Sequence, residues 1–573
     1  MAARPVPRDA ASAQQPGGAL LPVSAAQIRR RTLIALAGVL ACFAVIAGQL
    51  VRLSVRSGPE VRVSLAEPLA RSWARPDIVD RQGRLLATDV AVHSLYADPQ
   101  LIIDLDEVVE KVTALLPALD AVELRKALAD RNRRFAWVSR GLTPRQAQSL
   151  HELGLPGLAF RHEPRRAYPL GTLAGHVLGS VNVDNKGLGG IERLLDESGR
   201  VEAVQGTGKL PRAPVTLSLD IGVQHALAEE LKSAQTRYGA RASAGLVLDA
   251  QTGEVTAAVT LPETDPARPS DLRDETRPDR LTAGAYELGS IFKVLTVAMA
   301  MEGGIADLDK VYDVRQPLTV GPFTIKDPFP QNRPLTVREI VLHSSNVGAG
   351  MIALEAGTLR QREFMGRLGL LEPLRAEIGP VAAPLVPKHW GKAETVTIAY
   401  GHGLAVPPLQ FAAAFSALIN GGEWVAPTLF QRQQAPARTR VISAATSAHL
   451  REMLRLNVTH ASGTGRRAEA EGYRVGGKTG TAEIAGVGGY RERSVISSFA
   501  GAFPMETPKY VMLVMLFEPQ SGETGDRATA GLNAAPATAR VVERIAPLLG
   551  VLPRYVETRG AAAPAFDASP GAQ

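Results

Sequence analysis

The sequence contains little cysteine and few aromatic residues. Cys42 is the only cysteine among 573 residues, so the chain cannot form an internal disulfide and its fold must be stabilised by packing. Aromatic residues make up 5% of the chain, and no basic segment is interleaved with them, so a nucleic-acid partner is not expected. The sequence also lacks a His-Glu-x-x-His motif and any pair of cysteines, so no metal or other cofactor is predicted.

The remaining composition is that of a globular protein. Hydrophobic residues account for 45% of the chain and charged residues for 21%, which is enough apolar material for a sizeable core. The length predicts several domains. The formal net charge of +7 would suit an anionic partner, but a small excess spread over a long chain is more typical of a soluble surface.

One long apolar segment stands near the N-terminus. Residues Thr32 to Val51 carry no charge and are long enough for a helix to cross a hydrocarbon core of about 30 Å. The basic run Arg29 to Arg31 precedes it, and clustered arginines favour the cytoplasmic side. We therefore predict a membrane anchor with a cytoplasmic N-terminus. The alternative is a cleaved signal peptide, with small residues suited to cleavage at Val45-Ile-Ala47.

The region from Leu53 to Arg212 has mixed patterning and no arrangement typical of a catalytic centre. Asp77 to Ala87 predicts two strands joined by a turn at Gln82-Gly83. Helical periodicity follows from Asp104 to Arg131 and again from Thr143 to Leu153. We interpret this mixed α/β region as a structural pedestal.

The patterning changes near Pro214 to that of an α+β domain. Val215 to Leu219 predicts a strand, and Asp220 can cap the helix that follows. Ala244 to Thr260 predicts a hairpin, and Val511 to Phe517 a buried strand. Because helical patterns lie between these strands, we expect a central, largely antiparallel sheet flanked by helices.

The first candidate motif is Ser290-Ile-Phe-Lys293, at the start of a helical pattern. Residues three apart on a helix share a face, so the amine of Lys293 can lie beside the hydroxyl of Ser290. A serine hydroxyl becomes a good nucleophile when a neighbouring base takes its proton. An amine can act as that base when burial or a second cation lowers its pKa. Alone the motif is weak, because Ser-x-x-Lys occurs by chance in most long chains.

Two further motifs follow in order. Ser344-Ser-Asn346 supplies a hydroxyl that can relay a proton and an amide that can hold a peptide, although alone it also fits a polar turn. Lys478-Thr479-Gly480-Thr481 opens a predicted strand, where glycine would let a substrate backbone approach. Its hydroxyls and ammonium group can bind a carboxylate. The alternative for this motif is a glycine-rich turn before an ordinary strand.

In this order the three motifs resemble those of the class B penicillin-binding proteins. The pedestal segments Asp77 to Gly83, Arg166 to Gly171 and Gly187 to Glu192 are similar to motifs of that family, as is Tyr400 to Gln410. The short pedestal is most similar to the division-specific type. The sequence departs from the family at Leu288, Ile291 and His402, which changes pocket shape and leaves the reacting atoms unchanged.

The resemblance implies a peptidoglycan D,D-transpeptidase that crosslinks stem peptides and is acylated by β-lactams. Ser290 would be the nucleophile, Lys293 its base, and Ser344, Asn346 and Lys478 the remaining catalytic residues; Thr479, Gly480 and Thr481 would bind substrate. The implied partners are stem peptides, their lipid-linked precursor, a SEDS-family glycosyltransferase and other division proteins. The implied location is the cell inner membrane, with the catalytic domain in the periplasm. The predicted parts are a cytoplasmic tail (1–31), an anchor (32–53), the pedestal (54–212), the transpeptidase domain (213–552) and a disordered tail (553–573).

Several alternatives share these motifs. An elongation-type transpeptidase would catalyse the same reaction at another site in the cell, and a D,D-carboxypeptidase would pass the acyl group to water. A β-lactamase must hydrolyse the acyl-enzyme quickly and needs no pedestal or anchor. A β-lactam sensor or a division scaffold would retain the fold without turnover. The segment Glu483 to Arg493, rich in glycine, is expected to be a mobile loop beside the cleft.

Overall fold

A computed structural model describes residues 25–55, 75–199, 213–374, 381–486, 489–520 and 528–555. The chain divides into two compact units between Arg71 and Ser72. Most of the two predicted tails, residues 1–24 and 556–573, lies outside the described residues.

The first unit contains helix α1 (Ala25–Val55), which includes the predicted anchor. Its segment Thr32–Gln49 is long and apolar enough to cross a membrane. Large apolar side chains such as Leu33 and Phe43 are exposed on it, as they are on a helix whose surroundings are lipid. The predicted N-terminal apolar helix is therefore present.

The pedestal consists of a small sheet and several short helices. The sheet order is β3-β2-β1-β5, and β4 also pairs with β2. Strand β5 follows the predicted domain boundary in sequence, yet it pairs in parallel with β1, so the sheet links the pedestal to the catalytic part of the chain. The strands are β1 (Ile78–Val79), β2 (Leu85–Ala97), β3 (Ala136–Leu142), β4 (Leu158–Ala167) and β5 (Val215–Thr216), and the helices are α2 (Leu105–Leu115), α3 (Ala121–Ala129), α4 (Pro144–Glu152), α5 (Gly175–Leu178) and α6 (Gly190–Glu197).

Two details of the predicted secondary structure differ from the structure. The helical pattern from Asp104 to Arg131 forms two helices, α2 and α3, because Pro117 lies between them and cannot donate a helical hydrogen bond. Asp104 and Asp120 cap the two helices through their side-chain oxygens. The strand predicted from Val215 to Leu219 is confined to β5.

The catalytic part is a five-stranded sheet between two layers of helices. The sheet order is β14-β15-β16-β6-β7, and every neighbouring pair is antiparallel, as predicted. These strands are β6 (Ala242–Asp249), β7 (Val255–Leu261), β14 (Gly476–Gly486), β15 (Gly489–Phe503) and β16 (Tyr510–Phe517). The shorter strands are β8 (Val311–Tyr312), β9 (Leu318–Val320), β10 (Phe323–Ile325), β11 (Leu335–Thr336), β12 (Glu423–Trp424) and β13 (Thr439–Arg440). The helices are α7 (Ile221–Arg237), α8 (Lys293–Glu302), α9 (Val337–Leu342), α10 (Asn346–Ala356), α11 (Thr358–Arg367), α12 (Lys392–Ala399), α13 (Pro408–Ile419), α14 (Ala444–Thr459) and α15 (Ala534–Leu548).

Strand β16 shows why this sheet has two apolar faces. All eight of its residues are buried. Val511 and Leu513 belong to the core that includes α8 and α13, whereas Met512 and Val514 belong to the core that includes α7 and α15. Because successive side chains of a strand point to opposite faces, a strand covered on both sides is a continuous apolar run.

Strand β14 carries the third sequence motif and lies at the edge of the sheet. It pairs with β15 from Gly476↔Ala502 to Gly486↔Gly489. Most of the segment from Glu483 to Arg493 is therefore paired strand and was wrongly predicted as a loop. Residues 487 and 488 lie outside the described residues.

Candidate active site

Ser290 lies in a single 3₁₀ turn, Gly289–Phe292, which leads directly into α8. Gly289 has a φ of +59°, and a Cβ there would lie 2.6 Å from the carbonyl oxygen of Thr481. Glycine is therefore required where the turn packs against β14. Side chains at i and i+3 eclipse in a 3₁₀ turn, so Ser290 and Lys293 share a face although the turn is not the predicted α-helix.

The amine of Lys293 is the centre of the site. Its Nζ lies 3.0 Å from Oγ of Ser290 and 3.0 Å from Oγ of Ser344. It also lies 2.5 Å from the carbonyl oxygen of Ser344 and 2.7 Å from Oδ1 of Asn346. The structure thus brings together four of the predicted catalytic residues, although they lie in two separate sequence motifs.

A neutral amine, with two N–H donors and one lone pair, can satisfy three of these four contacts. The carbonyl oxygen of Ser344 and Oδ1 of Asn346 can only accept, so they take the two N–H donors of a neutral amine. The remaining lone pair is then available to the hydroxyl of Ser290. Complete burial lowers the pKa of Lys293 well below its usual 10.5, and the positive charge of Lys478 lowers it further.

Ser344 has an unusual backbone conformation. Its φ of +60° lies in the left-handed region, which residues other than glycine rarely adopt and which costs about 1–3 kcal/mol. In this conformation both its hydroxyl and its carbonyl oxygen reach Nζ of Lys293. The strained backbone of Ser344 therefore places its hydroxyl and its carbonyl oxygen on the same amine, that of Lys293.

Asp327 supports this strained turn and was missed in the sequence analysis. Its carboxylate accepts hydrogen bonds from the hydroxyl of Ser345 at 2.6 Å and from the amides of Asn346 at 2.5 Å and Val347 at 3.0 Å. Its negative charge also opposes the lowered pKa of Lys293. No motif includes Asp327; its only sequence signal is its place in a turn-forming Asp-Pro pair.

Lys478 is the second buried lysine of the site. Its side chain is fully buried on β14, and its Nζ donates to Oγ1 of Thr464 at 3.1 Å and to the carbonyl oxygen of Thr479 at 3.2 Å. Asn457 accepts from the hydroxyl of Thr464 and donates to the carbonyl of Gly477, which fixes this arrangement. Burial lowers the pKa of Lys478 to about 7.

The other three residues of the motif occupy different surroundings. Thr479 is nearly buried, and its Oγ1 lies 3.3 Å from Nζ of Lys478. Thr481 is exposed, and its Oγ1 accepts from the amide of Ala530 at 3.2 Å. A Cβ on Gly480 would lie 2.5 Å from the carbonyl oxygen of Leu288. The close approach at Gly480 is therefore to the nucleophile turn, whereas the sequence analysis expected an approach to substrate.

Comparison with known proteins identifies two family models in this chain. Residues 244–543 match the penicillin-binding protein transpeptidase domain, and residues 72–198 match the penicillin-binding protein dimerisation domain. A relative from Caulobacter vibrioides, a probable peptidoglycan D,D-transpeptidase FtsI, is 38% identical, with 83% of this chain and 82% of the relative covered. The peptidoglycan D,D-transpeptidase FtsI of Escherichia coli is 29% identical, with 79% of this chain and 80% of the relative covered.

A solved structure gives the same result for the fold. The crystal structure of penicillin-binding protein 3 from Mycobacterium tuberculosis, complexed with aztreonam, superposes with a TM-score of 0.66 at 25% identity. The match covers 84% of this chain and 98% of that structure. The pedestal and the five-stranded catalytic sheet together therefore have the architecture of that protein.

Proposed function

The chain belongs to the class B penicillin-binding proteins, and on this basis we propose that it is the D,D-transpeptidase of septal peptidoglycan synthesis, acting through an acyl-enzyme on Ser290. Relatives of the FtsI type are named as peptidoglycan D,D-transpeptidases. The observation that carries the proposed mechanism is the position of Lys293 Nζ, 3.0 Å from Oγ of both Ser290 and Ser344 on a fully buried side chain.

Acylation begins when a stem peptide ending in D-Ala-D-Ala enters the cleft. The neutral amine of Lys293 takes the proton of Ser290, and Oγ bonds to the carbonyl carbon of the penultimate D-Ala. The tetrahedral intermediate then collapses, the bond to the terminal D-Ala nitrogen breaks, and Ser344 relays the proton held by Lys293 to that leaving amine, which leaves Lys293 neutral and Ser344 protonated again. The product is an ester between Ser290 and the shortened stem peptide.

Crosslinking follows from attack on this ester. An amine from a neighbouring stem peptide bonds to the ester carbonyl carbon and loses a proton to the neutral amine of Lys293. The C–O bond breaks, and Lys293 returns that proton to Oγ of Ser290. A β-lactam acylates Ser290 by the same attack. The amine released from its opened ring stays covalently attached to the acyl group and occupies the place of the acceptor.

The exposed edge of β14 provides the binding surface for the stem peptide. An extended peptide can add to an unpaired sheet edge through main-chain hydrogen bonds. In the proposed complex the terminal carboxylate lies at Thr479 and Thr481, beside the charge of Lys478. The amides of Ser290 and Thr481 bind the developing oxyanion, each contributing about 3–4 kcal/mol.

Asn346 contributes the last contact to the peptide. Its Oδ1 already accepts from Lys293, so its Nδ2 is the atom that would donate to a carbonyl of the substrate backbone. One side chain therefore orients both the base and the peptide. Gly480 acts indirectly, because its lack of a side chain lets β14 lie against the nucleophile turn.

The proposed cellular arrangement places the catalytic domain in the periplasm. The arginines before the apolar part of α1 favour a cytoplasmic N-terminus, so α1 would anchor the chain in the inner membrane. We assign residues 1–31 to the cytoplasmic tail, 32–53 to the anchor, 54–212 to the pedestal, 213–552 to the transpeptidase domain and 553–573 to a tail. A SEDS-family glycosyltransferase, which uses the lipid-linked precursor, is the proposed partner of the anchor and pedestal.

The proposal is tested by locating the acyl group. The full-length protein in detergent is labelled with a fluorescent penicillin, digested and analysed by mass spectrometry. We expect the label on the peptide that contains Ser290, no label on Ser290→Ala, and normal labelling of Ser233→Ala, which changes an exposed serine of α7. A labelled Ser290→Ala protein would exclude Ser290 as the nucleophile.

Product analysis separates the transpeptidase from a carboxypeptidase. The wild-type protein is given a donor stem peptide with and without an excess of an amine acceptor. A new amide in the presence of the acceptor is the expected product. Hydrolysed donor alone under both conditions would contradict the transpeptidase assignment.

A further inference from the structure

The loop after α12 lies directly against the backbone that carries the nucleophile. The amide of Gly289 donates to the carbonyl of Gly401 at 3.1 Å, and Gly401 has a φ of +90°. A Cβ on Gly401 would lie 2.0 Å from the carbonyl oxygen of Gly289, so the two backbones are in direct contact. A displacement of this loop, residues 400–406, is therefore transmitted to the turn that carries Ser290.

Glu287 fastens this loop to the segment before the nucleophile. Its Oε1 accepts from the amide of Gly403 at 2.7 Å, and its Oε2 lies 3.3 Å from Nδ1 of His402. A carboxylate can only accept, so Nδ1 of His402 carries the hydrogen in this contact. The neighbouring residue Tyr286 pairs with Val406 through two backbone hydrogen bonds of 3.0 Å, which continue the same attachment.

We propose that Glu287 and His402 form a positioning pair that holds the nucleophile turn in register with Lys293. The proposal rests on the proposed function, because it concerns the rate at which Ser290 is acylated. A misplacement of reacting groups by about 1 Å can lower a rate about 100-fold. The pair acts through the loop backbone, so its loss affects the acylation step more than the initial binding of the ligand.

Two groups lie next to the imidazole of His402. The carboxylate of Glu287 lies 3.3 Å from its Nδ1, and the ring centroid of Tyr400 lies 5.4 Å from the centroid of its ring. Burial and the charge of Glu287 raise the pKa of Tyr400, so the phenol of Tyr400 stays neutral near neutral pH. Glu287 therefore supplies the negative charge beside the imidazole.

The test measures acylation rates of the full-length protein as a function of penicillin concentration. Glu287→Ala removes both contacts, and we expect its maximal acylation rate to fall about 100-fold. Glu287→Gln keeps an acceptor for Gly403 but not the charge, and should lose about 10-fold. The half-saturating concentration should stay within about 2-fold for both variants. Glu363→Gln, on the exposed surface of α11, is the control and should match the wild type.

The imidazole is tested by His402→Gln, which can donate a hydrogen bond, and by His402→Ala, which cannot. We expect His402→Ala to have a several-fold lower maximal acylation rate than the wild type and His402→Gln to recover most of that loss. Wild-type maximal rates in Glu287→Gln, or no difference between His402→Gln and His402→Ala, would overturn the positioning pair. If wild-type Ser290 itself is not labelled, the proposed function fails instead, so the two failures are distinguishable.

Discussion

The pedestal and the candidate active site both bury ionisable side chains, but they differ in how those side chains are paired. The buried arginines of the pedestal are paired with carboxylates, whereas the buried lysines of the active site are not. In the pedestal, Glu192 is fully buried between Arg75 and Arg166, each of which reaches it at 2.6 Å. Burial alone would lower the pKa of Arg166, but the carboxylates of Glu192 and Asp89 outweigh it and leave that pKa raised. The buried guanidinium group of Arg166 is therefore compensated by carboxylates and remains charged.

In the candidate active site, two lysines are buried without a carboxylate hydrogen-bonded to them in the described part of the chain. Lys293 and Lys478 are fully buried, and their hydrogen-bond partners in the described part of the chain are hydroxyl, carbonyl and amide oxygens. Burial lowers the pKa of both amines. A buried charge that is hydrogen-bonded to a carboxylate can therefore stay ionised, whereas burial of an amine without such a partner lowers its pKa.

The largest effect is expected when the unpaired amine is removed. Lys293→Met should lower the acylation rate by about 10³–10⁴-fold, because the general base of Ser290 is lost. Its free energy of unfolding should be unchanged or higher, since folding no longer has to deprotonate and bury an amine. Acylation kinetics and chemical denaturation of the full-length protein measure the two quantities. Lys293→Arg, which keeps a permanent charge, should be equally slow; substantial activity in it would contradict the role of a neutral base.

The next effect is expected in the pedestal, where a substitution should lower the stability of the protein and leave its acylation rate unchanged. Glu192→Ala leaves two buried guanidinium groups without their shared carboxylate and should lower the free energy of unfolding by about 3–5 kcal/mol. The acylation rate of the molecules that remain folded should be unchanged. The control is Glu107→Ala, which breaks an exposed pair with Lys111 and should lower stability by at most about 0.5 kcal/mol. Equal losses in the two variants would remove the distinction between buried and exposed pairs.

A smaller effect is expected at Asp327, a carboxylate that acts on Lys293 through its charge and through the turn that contains Ser344. Asp327→Ala removes three hydrogen bonds from the strained turn, and acylation should slow about 10–100-fold. Because the charge of Asp327 raises the pKa of Lys293, its loss lowers that pKa further. The acid limb of the pH–rate profile should therefore move to lower pH. A shift to higher pH would show that Asp327 does not act on Lys293 in this way.

The proximity of Ser290 and Lys293 could be predicted because their motif is local. Ser290 and Lys293 are three residues apart, so the spacing alone places them on one face. Strand β16 could be predicted as well, since burial on both faces requires a continuous apolar run.

The remaining features depend on contacts that are distant in sequence. Asp327 reaches the strained turn from a separate loop. Glu192 pairs with Arg75, which is 117 residues away in the sequence. A lone aspartate or arginine carries no periodic signal of its partner, so neither contact could be predicted. The packing of Gly480 against Leu288 could not be predicted for the same reason, because the backbone that it approaches belongs to a different element.

The central claim is tested most directly by the pH dependence of the second-order acylation rate constant, which reports groups of the free enzyme. The account predicts a bell-shaped profile for the wild-type protein. Its acid limb marks loss of the proton from Lys293, with an apparent pKa well below 10.5, and its alkaline limb marks loss of the charge of Lys478. A rate constant that rises steadily through pH 10, as an ordinary exposed lysine would require, would contradict the claim.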